Sequence, residues 1–287
     1  AKELWLSARW LVASSVIFLI AGINSIANSS APLVQNIYGV FGRQTGYIAY
    51  VVLIMSMLGA ALLRTKRSFD LLVWALLIAG AINIFYCAWA ITFGDFIGWN
   101  NPYGNILGLF GNPNFIGAFL GMFITGSVGF AFSSHFAWKY RIAFIVLGLI
   151  ALYEIKNSHA VQGLVVTGAG LAMIGFYLVR SKTKGFLLTG GYLVGVTIVG
   201  AFALAGALQK GPLASIIYKT SVSLRGQYWA AGLKMGSDHP LTGVGMDSYG
   251  NYYRLARSEY AATVLPGPKV ITNAAHNVVI DIFAYGG

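Results

Sequence analysis

Seven long runs of apolar residues constrain the fold of this chain more than any other feature. A membrane-crossing helix needs about 20 mostly apolar residues, because the hydrocarbon core of a bilayer is about 30 Å thick. Six of the runs contain no charged residue, and the fifth carries Glu154 and Lys156 near its end. The pattern predicts an all-α integral membrane protein with seven spans. These runs are residues 10–28, 46–63, 71–91, 113–134, 142–158, 160–179 and 185–208.

The composition excludes the other broad classes of protein. Charged residues make up 9% of the chain and hydrophobic residues 57%, whereas a soluble domain has about 25% charged residues. A disordered chain has too little apolar surface to match this composition, and a single cysteine, Cys87, excludes a disulfide scaffold. The net charge of +11 does not indicate a nucleic-acid partner, because the basic residues form short clusters between the apolar runs.

The basic clusters predict the topology. Cytoplasmic loops carry an excess of Lys and Arg, so the N-terminus is expected in the cytoplasm. The loops without basic clusters, and any active site that they form, are then expected on the outer side of the membrane. Residues 1–208 then form the transmembrane bundle, and residues 209–275 form one large extracytoplasmic loop. Residues 276–287 begin a further span, and the chain is expected to be truncated there. The clusters are Arg64, Lys66 and Arg67; Lys139 and Arg141; and Arg180, Lys182 and Lys184.

The large loop is predicted to contain two short helices. Ser223 is a candidate N-cap for a helix from Leu224 to about Met235. Arg225 and Trp229 are four residues apart and share a face of that helix. The second helix is expected over residues 247–257, with Arg254 and Arg257 on one side.

The start of the last apolar run places His276 at the outer face. The partial positive charge of a helix N-terminus disfavours imidazolium, so His276 is expected to stay neutral, as a general base requires. Asp281 follows inside the apolar run, where ionisable residues usually have a partner or a role. We find no Cys-x-x-Cys or His-x-x-x-His pair, and Gly243-Val-Gly245 lacks the third glycine of a dinucleotide fingerprint, so neither a metal nor a cofactor is predicted.

Four motifs, in this order, resemble the O-antigen ligase/polymerase superfamily over roughly residues 105–287. His-Pro-Leu-x-Gly-x-Gly with a downstream His-Asn is the more specific part of the resemblance, and Asn-Pro-Asn alone is weak. The motifs are Gly111-Asn-Pro-Asn-Phe115, Arg225 followed by Trp229, His239-Pro-Leu-Thr-Gly-Val-Gly245, and Ala275-His-Asn277.

The resemblance implies a bacterial membrane glycosyltransferase of the GT-C type in the cytoplasmic (inner) membrane. Such enzymes transfer a glycan from undecaprenyl diphosphate at the outer face, by an inverting reaction that needs no metal. The acceptor is another lipid-linked glycan in a polymerase, and lipid A core or protein in a ligase. By this resemblance Arg225 holds the diphosphate and His276 is the catalytic base. The predicted substrate-binding residues are Asn114, His159, Gln162, Trp229, Arg254 and Asn277.

The chain departs from the family at one position. Members usually carry a Ser-Arg pair at the outer start of the sixth span, but here His159 follows Ser158. Gln162 is a candidate replacement as a hydrogen-bond donor. If Gln162 does not replace it, the positive charge of that arginine is either lost in this chain or supplied by Lys156, Arg254 or Arg257.

Two rival functions stay open at this point. A transporter or flippase of the same lipid tends to show two repeated halves with broken helices and midplane charges, which this sequence lacks. A non-catalytic polysaccharide-binding membrane protein is the second rival.

Overall fold

The structure, a computed structural model, describes residues 2–63, 65–99, 101, 104–134, 136–183, 185–217 and 220–287. Regular structure in these ranges is helical, as predicted. Arg64 and Lys184, two of the charges used to predict the topology, lie outside the described residues. The helices are α1 (Lys2–Asn28), α2 (Leu33–Tyr38), α3 (Tyr47–Ala60), α4 (Lys66–Phe93), α5 (Pro113–Phe132), α6 (Trp138–Ser158), α7 (Val161–Lys182), α8 (Phe186–Ala207), α9 (Ala214–Ile217), α10 (Thr220–Asp238), α11 (Tyr249–Ala256), α12 (Glu259–Thr263) and α13 (Val278–Gly286).

Five helices of the described chain are long and apolar enough to cross a membrane: Ala8–Asn28 of α1, and α4, α5, α7 and α8. They support a membrane-embedded helical protein. The other two predicted spans correspond to α3, which has only 14 residues, and to α6, whose sequence includes Lys139, Arg141, Glu154 and Lys156. Neither of these two helices belongs to the five.

Contacts divide the chain into two compact units. Unit 1 comprises Ala1–Thr65 and Gly206–Gly287, and unit 2 comprises Lys66–Ala205. The division differs from the predicted boundaries at 208 and 275, because α1 to α3 group with the C-terminal residues.

Unit 2 is organised by close packing of α5 against α7. The Cβ of an alanine at Gly163 would lie 2.7 Å from Ile155 Cγ2 and 2.8 Å from the Gly117 carbonyl oxygen, and one at Gly121 would lie 2.7 Å from the Gly163 carbonyl oxygen. Small residues at such positions let helix backbones approach closely. Gly117 and Gly121 therefore lie in the interface between α5 and α7. At Gly191 and Gly195, a similar pair on α8, an added Cβ would meet no atom within 4 Å.

We expect Gly163→Ala to destabilise unit 2, because the added methyl group overlaps backbone and a buried isoleucine. Overpacking of this kind costs about 1–3 kcal/mol. Gly168→Ala is the matched control on the same helix, since a Cβ there meets nothing within 4 Å. The thermal unfolding midpoint of the detergent-solubilised protein should fall for Gly163→Ala and stay level or rise slightly for Gly168→Ala. Equal midpoints for the two variants would contradict the close packing.

The side chain of Glu154 lies in a different environment from the one that the sequence indicates. The sequence indicates that its carboxylate reaches the membrane surface or pairs with Lys156. Its side chain is instead fully buried in α6, and neither carboxylate oxygen has a hydrogen-bond partner among the described residues. The group lies next to a largely apolar cluster that includes Cys87 and Ile155.

Unit 1 holds the predicted loop helices, with two changes in their bounds. Helix α10 begins at Thr220, so Ser223 lies inside the helix and the predicted N-cap is wrong. The second helix, α11, begins at Tyr249 and is followed by α12, which the sequence did not predict. The core between α10, α11 and α13 includes the buried tyrosines Tyr228, Tyr249, Tyr253 and Tyr285.

Candidate functional site

His276 immediately precedes α13 and has a left-handed backbone, with φ of +57°. Asn277 is the N-cap of α13: its side-chain oxygen accepts hydrogen bonds from the amides of Val279 (3.1 Å) and Ile280 (3.4 Å). A non-glycine residue in this backbone region costs about 1–3 kcal/mol and is kept only where the surroundings enforce it. The conformation of His276 is therefore a candidate functional feature.

Asp281 stabilises the turn that contains His276 through a hydrogen bond to the preceding residue. It is 7% exposed, and its carboxylate accepts a hydrogen bond from the Ala275 amide at 2.7 Å. The buried carboxylate thus has a partner, and that partner is the residue before His276. The hydrogen bond from the Asp281 amide to the Asn277 carbonyl, at 2.8 Å, closes the first turn of the helix.

This arrangement predicts a difference between two substitutions of Asp281. Asp281→Ala leaves the buried Ala275 amide without an acceptor, which costs about 1–3 kcal/mol. Asp281→Asn keeps a side-chain oxygen for that amide and should cost clearly less. Thermal unfolding of the two purified variants measures the difference. An equal loss would mean that the negative charge, and not the hydrogen bond, stabilises the turn.

The ring of His276 packs against α10. The ring centroids of Tyr228 and His276 are 5.8 Å apart. Tyr228 is buried and its carbonyl accepts a hydrogen bond from the Tyr249 hydroxyl. One face of His276 therefore packs against the aromatic core, although the residue as a whole is exposed.

Arg225 lies one helical turn before Tyr228, so the two residues share a face of α10. Its side chain is partly buried. In the part of the chain that the structure describes, the ion pairs join Arg43 to Asp247, Lys66 to Asp70 and Lys234 to Asp238, and Arg225 takes part in none. A partly buried guanidinium without a carboxylate is suited to receiving an anion from outside the chain.

Arg43 is a second cation near His276, although in the sequence it is only a minor loop charge. Its Nε lies 3.7 Å from Oδ1 of Asp247, which is fully buried. Asp247 also accepts a hydrogen bond from the Val40 amide at 2.8 Å and has a left-handed backbone, with φ of +50°. The only signal in the sequence is that Arg43 is the sole charged residue between the first two apolar runs.

The surroundings lower the pKa of His276 below its ordinary value. Burial is the largest cause, and the positive charges of Arg225 and Arg43 lower the pKa further, while the negative charge of Asp281 acts in the opposite direction. The expected direction agrees with the structure, but the causes differ from the predicted helix-terminus effect. A histidine of this kind is neutral at pH 7 and available as a proton acceptor.

The remaining candidates in unit 1 are Arg254, Trp229 and Arg257. Arg254 is exposed at the end of α11 and is not among the charges that act on His276. Trp229 is 39% exposed on α10. Arg257 has a structural role, because its Nη1 donates hydrogen bonds to the carbonyls of Gly267 and Val270, both at 3.3 Å. Arg257 is therefore a poor replacement for the missing phosphate-binding charge.

The His239–Gly245 motif anchors α13 and does not line the site. The Val244 and Gly245 amides donate hydrogen bonds to the carbonyls of Ala284 (2.9 Å) and Tyr285 (3.2 Å) at the end of that helix. Gly243 has φ of +58°, and a Cβ there would overlap the Tyr285 backbone. The glycines are needed for this contact, which fixes the helix that begins after His276. His239 is exposed and contributes its carbonyl to the turn.

Three predicted substrate-binding residues belong to unit 2. Asn114 is exposed in the first turn of α5, where Asn112 is the N-cap and Pro113 the first helical residue. His159 ends α6 in a left-handed conformation, and Gln162 lies in the first turn of α7. A Cβ at Gly117 would contact Ala160 at 3.1 Å, so these helix ends lie at the same end of unit 2.

A groove of about 610 Å³ lies at the opposite end of unit 2. Its lining includes Thr125 and Phe132 of α5 and Met173 and Tyr177 of α7. It is mostly apolar, but it is remote from Asn114 and Gln162. Among the described residues we find no group of three or more His, Cys, Asp or Glu side chains that is arranged to hold a metal ion.

No family model, curated protein or solved structure matches this chain.

Proposed function

We propose that the protein is a membrane glycosyltransferase that moves a glycan from undecaprenyl diphosphate to an acceptor hydroxyl. The observation that carries the proposal is the juxtaposition of a proton acceptor with two positive charges, of which Arg225 takes part in none of the ion pairs among the described residues. The pKa of His276 is lowered, and the two cations that contribute to this shift are Arg225 and Arg43. A base beside an anion-binding site is what transfer from a diphosphate requires.

The chemistry uses these groups as follows. The acceptor hydroxyl oxygen attacks the anomeric carbon of the donor sugar and passes its proton to His276. The bond from the anomeric carbon to the phosphate oxygen breaks, and undecaprenyl diphosphate leaves with the electron pair. Arg225 stabilises the negative charge that develops on the leaving group, through the bidentate geometry that guanidinium offers to phosphate. The stereochemistry at the anomeric carbon is inverted in a single displacement.

A lipid-linked donor is consistent with the composition of the chain. Five helices of the described residues are apolar enough to lie in a bilayer, which is where a polyprenyl tail is soluble. The resemblance in the motifs favours a GT-C-type bundle in the bacterial cytoplasmic membrane, with the site facing outside. Asn114, His159, Gln162, Trp229, Arg254 and Asn277 stay candidate substrate-binding residues.

One observation favours a second function, transport of the lipid-linked glycan. Glu154 is a fully buried carboxylate in α6 without a hydrogen-bond partner among the described residues. Ionisable residues inside membrane helices often belong to ion or substrate pathways. A transporter moves the donor across the bilayer and leaves its covalent structure intact, so the two functions give different products.

Reconstituted vesicles containing labelled undecaprenyl-diphosphate glycan separate these functions. A ladder of longer lipid-linked glycans, with no other acceptor added, identifies a polymerase. Label that moves only to added lipid A core or to an added protein identifies a ligase. Label that crosses the bilayer unchanged, and stops crossing in Glu154→Gln, identifies a transporter and refutes the glycosyltransferase proposal. An intact, immobile donor in all arms refutes both functions.

A further inference from the structure

The leaving group of the proposed reaction carries two phosphates, and Arg225 supplies one guanidinium. Arg254 is exposed and does not act on His276, and Arg257 is bound to two backbone carbonyls. A second cation for the diphosphate therefore has to come from elsewhere in the chain.

We propose that Arg43 is a second anion-binding residue of the His276 site and binds the diphosphate together with Arg225. The inference rests on the proposed function for the identity of its ligand. It assigns a binding role to a loop residue about 180 positions before Arg225 in the sequence.

The contacts of Arg43 leave its guanidinium available for a ligand. Its side chain is 31% exposed, so the group is shielded but accessible. Its Nε lies 3.7 Å from Asp247, and this separation is longer than a hydrogen bond. Among the described residues neither terminal nitrogen of Arg43 has a hydrogen-bond partner. A guanidinium has five N–H donors, so the terminal pair can bind phosphate oxygens while Nε stays directed at Asp247.

Asp247 is suited to positioning Arg43 without saturating it. The carboxylate is fully buried, and its two oxygens already accept hydrogen bonds from the Val40 amide at 2.8 Å and the Tyr285 hydroxyl at 3.4 Å. Part of its negative charge is thus balanced by these donors. Asp247 fixes the direction of the Arg43 side chain, and the positive charge of Arg43 still reaches His276.

The placement of Arg43 relative to the base supports the same conclusion. Arg225 approaches from α10, His276 precedes α13, and Arg43 comes from the segment between α2 and α3; all three lie in unit 1. Arg43 faces Asp247, which accepts a hydrogen bond from the Tyr285 hydroxyl of α13. The His276 ring, just before α13, lies 5.8 Å from the ring of Tyr228, one turn after Arg225. Two fixed cations around one base form a site for a ligand with more than one negative charge.

The test is the binding of farnesyl diphosphate and farnesyl monophosphate to the purified full chain, measured by isothermal titration calorimetry. The wild type should bind the diphosphate more tightly. Because hydrogen bonds to charged groups contribute about 1.5–3 kcal/mol, Arg43→Ala should weaken diphosphate binding by about 10- to 100-fold. Monophosphate binding should weaken much less, since Arg225 suffices for one phosphate.

The ratio of the two affinities separates ligand binding from a structural role. If Arg43 only neutralises Asp247, Arg43→Ala weakens both ligands equally or neither, and the proposal is wrong. Arg43→Lys keeps the charge beside Asp247, which preserves folding, and should lose part of the preference for diphosphate because lysine lacks the fork. Lys234→Ala is the control, because Lys234 is exposed and pairs with Asp238 on the same helix as Arg225.

The failure of this inference is distinguishable from the failure of the proposed function. If Arg43 sets the preference for diphosphate but no glycan is transferred, the anion site stands and glycosyl transfer is refuted. If glycan is transferred and Arg43→Ala changes neither the transfer rate nor the affinity ratio, the function stands and the role of Arg43 is refuted.

Discussion

Replacing Arg225 with alanine is expected to lower glycan transfer by about 100- to 1000-fold, the usual effect of removing one group that stabilises developing negative charge. Arg225 is partly buried and is in none of the ion pairs found among the described residues. Its removal therefore leaves no buried carboxylate unpaired. The thermal midpoint should stay close to that of the wild type, so that the loss appears in turnover and not in folding.

Two comparisons make the Arg225 result specific. Arg225→Lys keeps a positive charge but loses the planar fork, and it should retain activity between those of the wild type and the alanine variant. Lys234→Ala, on the same helix, should transfer glycan at the wild-type rate. Wild-type transfer by Arg225→Ala would remove this residue from the proposed mechanism.

Substitution of His276 by glutamine is expected to lower transfer by about 100- to 10,000-fold, which is the usual contribution of a general base. Glutamine keeps hydrogen-bonding capacity but cannot accept a proton at neutral pH. Because His276 has a left-handed backbone, His276→Asn is a useful second variant, since asparagine tolerates that conformation. Both variants should be folded and inactive; activity in either one contradicts the assignment of the base.

The pH dependence of transfer follows from the lowered pKa of His276. The base form is neutral, so activity should fall only when acid protonates the ring. Since burial, Arg225 and Arg43 lower the pKa, the acid limb should lie below the ordinary histidine value of about 6.5. Arg43→Gln removes one of the positive charges and should move the limb to higher pH. A limb that does not move, or one above the ordinary value, would contradict the electrostatic account of the site.

Features set by local sequence were predictable. Apolar runs of about 20 residues determine where membrane helices lie, and five of the seven predicted runs correspond to helices of the described chain that are apolar enough to span. The sequence Asn112-Pro113 predicts the start of α5 from capping chemistry alone, and α5 begins at Pro113 with Asn112 as its N-cap. His276 was found because it precedes an apolar run and belongs to a short motif.

Features set by contacts between distant residues were not predictable. Arg43 and Asp247 are about 200 positions apart, and nothing local indicates that they pair. The burial of Glu154 depends on packing around α6, whereas its local sequence indicates a carboxylate at the surface. The causes of the lowered pKa of His276 were missed for the same reason, because both arginines come from other elements.

The release of undecaprenyl diphosphate from its glycan, in vesicles containing the purified full-length protein and an acceptor, tests the central claim most directly. The account predicts one molecule of undecaprenyl diphosphate for each glycan transferred, with release lowered at least about 100-fold in His276→Gln and in Arg225→Ala. A wild-type protein that leaves the donor intact while moving it across the bilayer, or variants that release undecaprenyl diphosphate at the wild-type rate, would contradict it.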